Sequence, residues 1–168
     1  MLYLLDANLL ITAHRSYYPI DQVPEFWGWL QHQGESGNVK IPLEIIEEIM
    51  AGRKENDRLL DWITDPLNEQ ALRLEEDVDP GWVRKVVSEG YADDLTDDEV
   101  ERLGRDPFLI AYAASDAAVR CVVTTETSKP RAQRQNRRIP DVCNTLGVHC
   151  CDPFSMNRAL GFSTAWKR

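Results

Sequence analysis

LYLLDANLL, residues 2–10, is the stretch whose reading decides the fold. A short apolar run, Leu2 to Leu5, ends on Asp6, and Asn8 opens what reads as a helix. An acid at the carboxyl end of a first strand sits where open α/β sheets place their ligands. Two later stretches repeat the pattern, DPFLIAYAASD from Asp106 and CVVTTE ending at Glu126. Each puts an acid at the edge of an apolar element. Together they suggest carboxylates gathered at one end of a sheet, an arrangement suited to magnesium or manganese.

The strands and helices around that opening alternate. Residues 2–5 read as a buried strand, 8–15 and about 22–32 as helices, and NVKI (38–41) as a short strand. Pro42 starts a helix in the usual first-turn position, and Gly52 stops it. DRLLDWI (57–63) is a short helix, and ALRL (71–74) fits strand or helix. GWVRKVVSEGY and LTDDEVERL look helical, with Thr96 and Glu99 at capping-box spacing. Asp106-Pro107 caps a helix that is apolar nearly all round and therefore buried. CVVTT (121–125) is a strand, IPDVCNTLG a helix ending at Gly147, VHCC a last strand, and Phe154, Met156 and Leu160 mark a closing helix. Strands alternating with helices at this spacing mean a mostly parallel sheet covered on both faces.

A chain of 168 residues is expected to be one domain, 1–168, with an acidic helical insertion at about 75–103. No apolar run is long enough to cross a bilayer. The start has neither a basic region nor a long apolar stretch, so a signal peptide is not expected and the cytoplasm is. Cys121, Cys143, Cys150 and Cys151 match no zinc spacing and read as reduced thiols. Trp27, Trp29 and Trp166 suit either an interface or the core.

The net charge of −9 argues at first against a nucleic-acid partner. Its distribution argues otherwise. Acids cluster in LEEDVD (74–79) and DDLTDDEVE (93–101), the latter read as a solvated face. KPRAQRQNRR (129–138) carries Lys129, Arg131, Arg134, Arg137 and Arg138 and no acid. It reads either as a solvated loop or as one that contacts phosphates.

Each acid has a structural use as well as a chemical one. Asp6 and Asp106 are both good helix N-caps. Glu44, Glu47 and Glu48 share one helix whose apolar stripe is Ile45, Ile46, Ile49 and Met50. Glu44 then points away from the core, while Glu47 and Glu48 flank the stripe, and periodicity does not choose between them. Asp116 and Asp141 read as helix-surface acids. No Ser–His–Asp set surrounds His14, His32 or His149, and no glycine-rich phosphate loop is present.

The order LLDANLL, IPLEIIEEIMAG, DPFLIAYAAS, VVTTE resembles a PIN domain, over about residues 1–160. PIN domains are metal-dependent ribonucleases, best known as the toxins of VapC-type toxin–antitoxin pairs. KPRAQRQNRRIPDVCNTLGV resembles a less characterised PIN-like branch. The resemblance implies a three-layer α/β/α sandwich with a short, mainly parallel sheet. It implies hydrolysis of an RNA phosphodiester by water activated by Mg2+ or Mn2+. Asp6, Glu48 and Asp106 would hold the metal, with Glu47 the reserve for Glu48. Glu126 would assist, at a place where the family usually has aspartate. Asn8 and Thr124 would orient the acids or the metal's waters. Lys129, Arg131, Arg134, Arg137 and Arg138 would position the RNA backbone without reading its sequence. A cognate antitoxin and a homodimer are the implied protein partners, with no membrane.

Two rival classes stand beside this reading. One is a PIN-like binding module with weak or no catalysis, which the −9 charge and Glu126 favour. The other is a haloacid-dehalogenase-like phosphatase. That class wants a second aspartate two positions after the nucleophile, where this chain has Asn8.

Overall fold

The computed structural model describes residues 1–52 and 57–167. Four strands form one sheet: β1 (Leu2–Leu5), β2 (Val39–Lys40), β3 (Arg120–Val123) and β4 (His149–Cys151). They lie in the order β2-β1-β3-β4, and every pairing is parallel. A parallel sheet is covered on both faces, so residues of both parities must be apolar. Neighbouring residues accordingly vanish from solvent together: Leu4 with Leu5, and Val122 with Val123.

Parallel strands need long crossovers, and helices supply them. α1 (Ala7–Thr12) runs into a π-helical turn (Ala13–Tyr17), and α2 (Pro24–Glu35) precedes β2. α3 (Leu43–Ala51), α4 (Arg58–Ile63), α5 (Pro66–Leu72) and α6 (Pro80–Lys85) follow. A second π-helical turn (Val86–Tyr91), α7 (Asp97–Arg102) and α8 (Asp106–Ala114) lead to β3. α9 (Ile139–Leu146) and α10 (Pro153–Ala159) complete a three-layer α/β/α sandwich. α8 buries Pro107 and Leu109 through Ala114, as an all-round apolar helix must. Val86, Tyr91 and Leu103, from the acidic 75–103 stretch, join the same hydrophobic core.

Several boundaries differ from the sequence reading. β3 stops at Val123, so Thr124 and Thr125 lie beyond the strand rather than in it. Thr124 leaves the β1 ladder but still donates its backbone N–H to the Cys151 carbonyl. ALRL is the end of α5 followed by a single bridge from Arg73 to Ile41. α2 runs from Pro24 to Glu35 rather than 22–32, because Pro24 sets its first turn. Trp27 and Trp29 are core residues, 2% and 1% exposed, and Trp166 is half-buried against His32. The Thr96–Glu99 capping box forms, and Gly147 closes α9 at φ +67°. All four cysteines are free thiols.

The sheet order places a switch point between β1 and β3. The chain leaves β1 for β2 on one side and returns to β3 on the other. The crevice beyond the carboxyl ends of two such strands is where open α/β sheets bind ligands.

α2 and α5 meet closely at Gly34. A Cβ there would lie 2.7 Å from both the Ala71 carbonyl oxygen and Leu72 Cδ2. Backbone does not yield easily, so Gly34→Ala is expected to cost about 1–3 kcal/mol. Gly52→Ala, which meets nothing nearer than 3.6 Å, should stay within about 0.5 kcal/mol. Urea unfolding of the two variants beside the native chain makes the comparison; equal midpoints would remove the close-packing account.

Candidate active site

Asp6 is the residue after β1, with its backbone N–H bonded to the Val123 carbonyl at 3.0 Å. That bond extends the β1–β3 ladder by one residue and sets Asp6 at the carboxyl end of the strand pair, beside Thr124. Asp6 is only 1% exposed. It stands at the N-cap position of α1, yet its side chain makes no capping bond. Instead Oδ2 accepts a 2.7 Å hydrogen bond from the Thr124 hydroxyl. Thr124 Oγ1 in turn accepts the Glu126 backbone N–H at 3.1 Å, which leaves its one proton for Asp6. Burial is the main force pushing the Asp6 carboxyl up to about 6. The Thr124 hydroxyl and the Asn8 backbone N–H pull it back, and the charges of Glu48 and Glu126 add to the rise.

Asp106 opens α8 but does not cap it. Arg105 occupies the N-cap position, and no side chain supplies a capping bond. The expected capping role therefore gives way: Asp106 lies one residue inside the helix, with its own N–H on the Leu103 carbonyl. Its carboxyl is pushed up to about 8, by burial first and then by Asp6, Glu126 and Glu48, with Arg138 opposing.

The three acids of α3 diverge. Glu44 takes a 3.4 Å hydrogen bond from the Tyr112 hydroxyl. Glu47 pairs with Arg105 at 3.4 Å. Glu48 is the one whose charge bears on both Asp6 and Asp106. The Glu48 side chain is exposed, but the protein around its carboxyl displaces water and raises its pKa, with Arg105 opposing. Arg105 thus pairs with Glu47 and bears on Glu48 as well.

Glu126 takes a different part from the other acids. Its Oε1 accepts from Arg138 Nη1 at 2.8 Å and its Oε2 from the Ile139 backbone N–H at 2.9 Å. Both oxygens are engaged, one by a cation and one by the first turn of α9. Beside it runs a cleft of about 280 Å³ lined by Asn8, Thr12, Thr125, Thr127, Lys129 and Arg138. Among the described residues, no three His, Cys, Asp or Glu side chains stand close enough to enclose a metal ion.

The five bases of the 129–138 loop do not form one open patch. Arg134, held at φ +55°, pairs with Asp94 at 2.6 Å and Glu99 at 2.7 Å. Arg134 holds the Glu99 carboxyl down at about 2. Arg137 donates to the Gly90 and Asp141 carbonyls and to Thr145 Oγ1. Arg138 is on Glu126. Lys129 and Arg131 are exposed and make no ion pair among the described residues. Asp141, expected at a helix surface, accepts from the Ser128 hydroxyl and the Lys129 backbone N–H and so anchors the loop. Part of the acidic 93–101 stretch, read as solvated, is a counter-surface for this loop.

Tyr91 escaped the sequence reading. It lies in GWVRKVVSEGY, where only amphipathic spacing was visible. It is 6% exposed, and its hydroxyl has no hydrogen-bond partner among the described residues.

The fold and these side chains define an α/β/α protein with the buried Asp6 at its switch point and a half-buried Asp106 on which its charge bears. The chain belongs to the family described as Domain of unknown function (DUF4411), which matches residues 3–164. No curated protein and no solved structure matches it. Among the described residues, no helix is long and apolar enough to cross a membrane.

The raised carboxyls give stability a pH dependence. Each binds its proton more tightly folded than unfolded, where the ordinary value is 3.8. Their contribution is complete below that value and is lost as pH rises through about 6 for Asp6 and about 8 for Asp106. Asp106→Asn removes the larger part, so its melting temperature in chelator should exceed the native value at pH 8 and not at pH 4. Parallel melting at the two pH values tests this; a variant less stable at pH 8 contradicts it.

Proposed function

We propose that this protein is a metal-dependent endoribonuclease of PIN type. The observation that carries the reading is the cluster of Asp6, Asp106 and Glu48 at the β1–β3 switch point. Like charges crowded in a buried place are relieved by a cation. Their donors are all carboxylate oxygens, which suit Mg2+ or Mn2+ and not a softer metal. Magnesium uses one or two carboxylates and keeps several waters, so a site not closed by three side chains is compatible with it. Asp6 and Asp106 would hold the ion, with Glu48 reached through water. A bound divalent ion supplies an activated water and charge stabilisation for phosphodiester hydrolysis.

The protein's own groups have separable parts. Thr124 fixes the orientation of Asp6. Lys129 and Arg138 offer cations to a phosphate in the cleft, and Asn8, Thr12, Thr125 and Thr127 offer polar contacts. Glu126 holds Arg138 in place rather than adding a ligand. The resemblance to VapC-type toxins extends the reading to a toxin with a cognate antitoxin and to a homodimer.

A second reading has one observation in its favour. With Glu126 fully engaged by Arg138 and Ile139, the acid set is one short of the family's. A PIN-like RNA- or protein-binding module with little catalysis fits that state.

Cleavage of a mixed structured RNA with Mn2+ or Mg2+ distinguishes them. The native protein should cut, and Asp6→Asn and Asp106→Asn should each lose about 100-fold or more. Thr124→Val, which removes only the orienting hydroxyl, should lose about 10-fold. Metal-independent RNA binding without cutting supports the binding module. Hydrolysis of a small phosphomonoester, with RNA left intact, favours a phosphatase.

A further inference from the structure

The edge strand β4 carries two cysteines in succession, Cys150 and Cys151. Successive side chains leave a strand toward opposite faces, so these two point away from each other. Cys151 instead shares its face with Cys121 of β3. Cys121 is in register with His149, and Val123 with Cys151, so the two thiols meet on a diagonal between adjacent parallel strands. Their Sγ atoms lie 3.6 Å apart, and both are free thiols. Cys121 is 5% exposed, while Cys151 is half-buried and gives the pair a side open to small solutes. The contact also sorts the protons. The hydrogen bond with Cys151 holds the Cys121 thiol below its ordinary value, and the same bond pushes Cys151 up. The first proton therefore leaves Cys121, and a thiolate is the reactive form of a cysteine.

We propose that Cys121 and Cys151 are an oxidative modification site, at which a small peroxide converts the two thiols into a reversible disulfide across β3 and β4. The inference stands apart from the metal-dependent reading, and its test needs neither metal nor RNA. The Cys121 thiolate attacks one peroxide oxygen, the O–O bond breaks, and the departing hydroxide leaves Cys121 as a sulfenic acid. Cys151 sulfur then attacks Cys121 sulfur, the S–O bond breaks, and the displaced hydroxide takes the Cys151 proton as water. Two thiols and one peroxide thus give one disulfide and two waters, with the peroxide as the oxidant. The sulfurs must close from 3.6 Å to about 2.05 Å. β4 can supply that movement, being three residues long and paired with β3 alone. The Cys151 carbonyl also accepts the Thr124 backbone N–H at 3.2 Å. The bridge therefore forms at the strand end that carries the hydrogen-bond partner of Asp6.

The test is hydrogen peroxide treatment of the reduced full chain, followed by alkylation of the remaining thiols under denaturing conditions and intact mass measurement. Two of the four thiols should escape alkylation in a chain that stays monomeric on a non-reducing gel. Dithiothreitol should restore both. Tryptic fragments 121–131 and 139–158 should be found joined, with the link at Cys151 on fragmentation, a result that needs no variant. Cys121→Ser and Cys151→Ser should each form no bridge, while Cys143→Ser and Cys150→Ser should form it as the native chain does. A bridge that persists in Cys151→Ser, or one lost in Cys143→Ser or Cys150→Ser, joins other thiols and overturns the assignment. Oxygen added to sulfur without a bridge, all four thiols still open to alkylation, or bridging only between chains overturns it as well.

Discussion

A carboxyl group buried at the end of a central strand is costly, and the rest of this molecule is arranged around that fact. Asp6 is 1% exposed, and its Oδ2 accepts from the Thr124 hydroxyl at 2.7 Å. The two residues are brought together by neighbouring parallel strands, each of which ends one residue before its polar group. β1 and β3 must stay in register for the pair to exist. The apolar burial of Leu4, Leu5, Val122 and Val123 keeps them there. The sheet is in this sense the support of a single hydrogen bond.

Around Asp6 the charges are sorted rather than merely accumulated. Asp106 and Glu48 have carboxyls raised above the ordinary range, first by burial, and the charges of Asp6, Glu126 and Glu48 add to the rise at Asp106. Glu126 is instead joined to Arg138 and to the start of α9. That pairing brings a cation to the rim of the acid cluster and to the wall of the polar cleft. The cleft itself is lined by Glu126 with the cations Lys129 and Arg138. The net charge of −9 is therefore a poor guide to what the crevice can accept.

The acidic stretch and the basic loop explain each other. Arg134 adopts a backbone conformation unusual for a side-chain-bearing residue and is held by Asp94 and Glu99. Glu99 meanwhile caps α7 through Thr96. One glutamate thus starts a helix and anchors a loop 35 residues away. Arg137 fastens the same loop to Gly90. These contacts leave Lys129 and Arg131 as the exposed cations of a segment that the sequence presents as uniformly basic.

The amino-acid sequence by itself determined the alternation of strands and helices, the buried character of α8, and the placing of Asp6 and Asp106 at the edges of apolar elements. These follow from periods of two and 3.6 residues and from proline and glycine chemistry, all of them local. The exact ends of β3 and α5 were less legible, because the last pair of a ladder depends on the neighbouring strand. Only the tertiary structure paired Glu47 with Arg105, 58 residues away. Only it joined Glu126 to Arg138, released Asp106 from capping, and buried Tyr91 with its hydroxyl unpaired among the described residues. Ion pairs and hydrogen bonds are settled by distances of a few ångströms between remote segments, such as the 118 residues that separate Asp6 from Thr124. No local period carries that information.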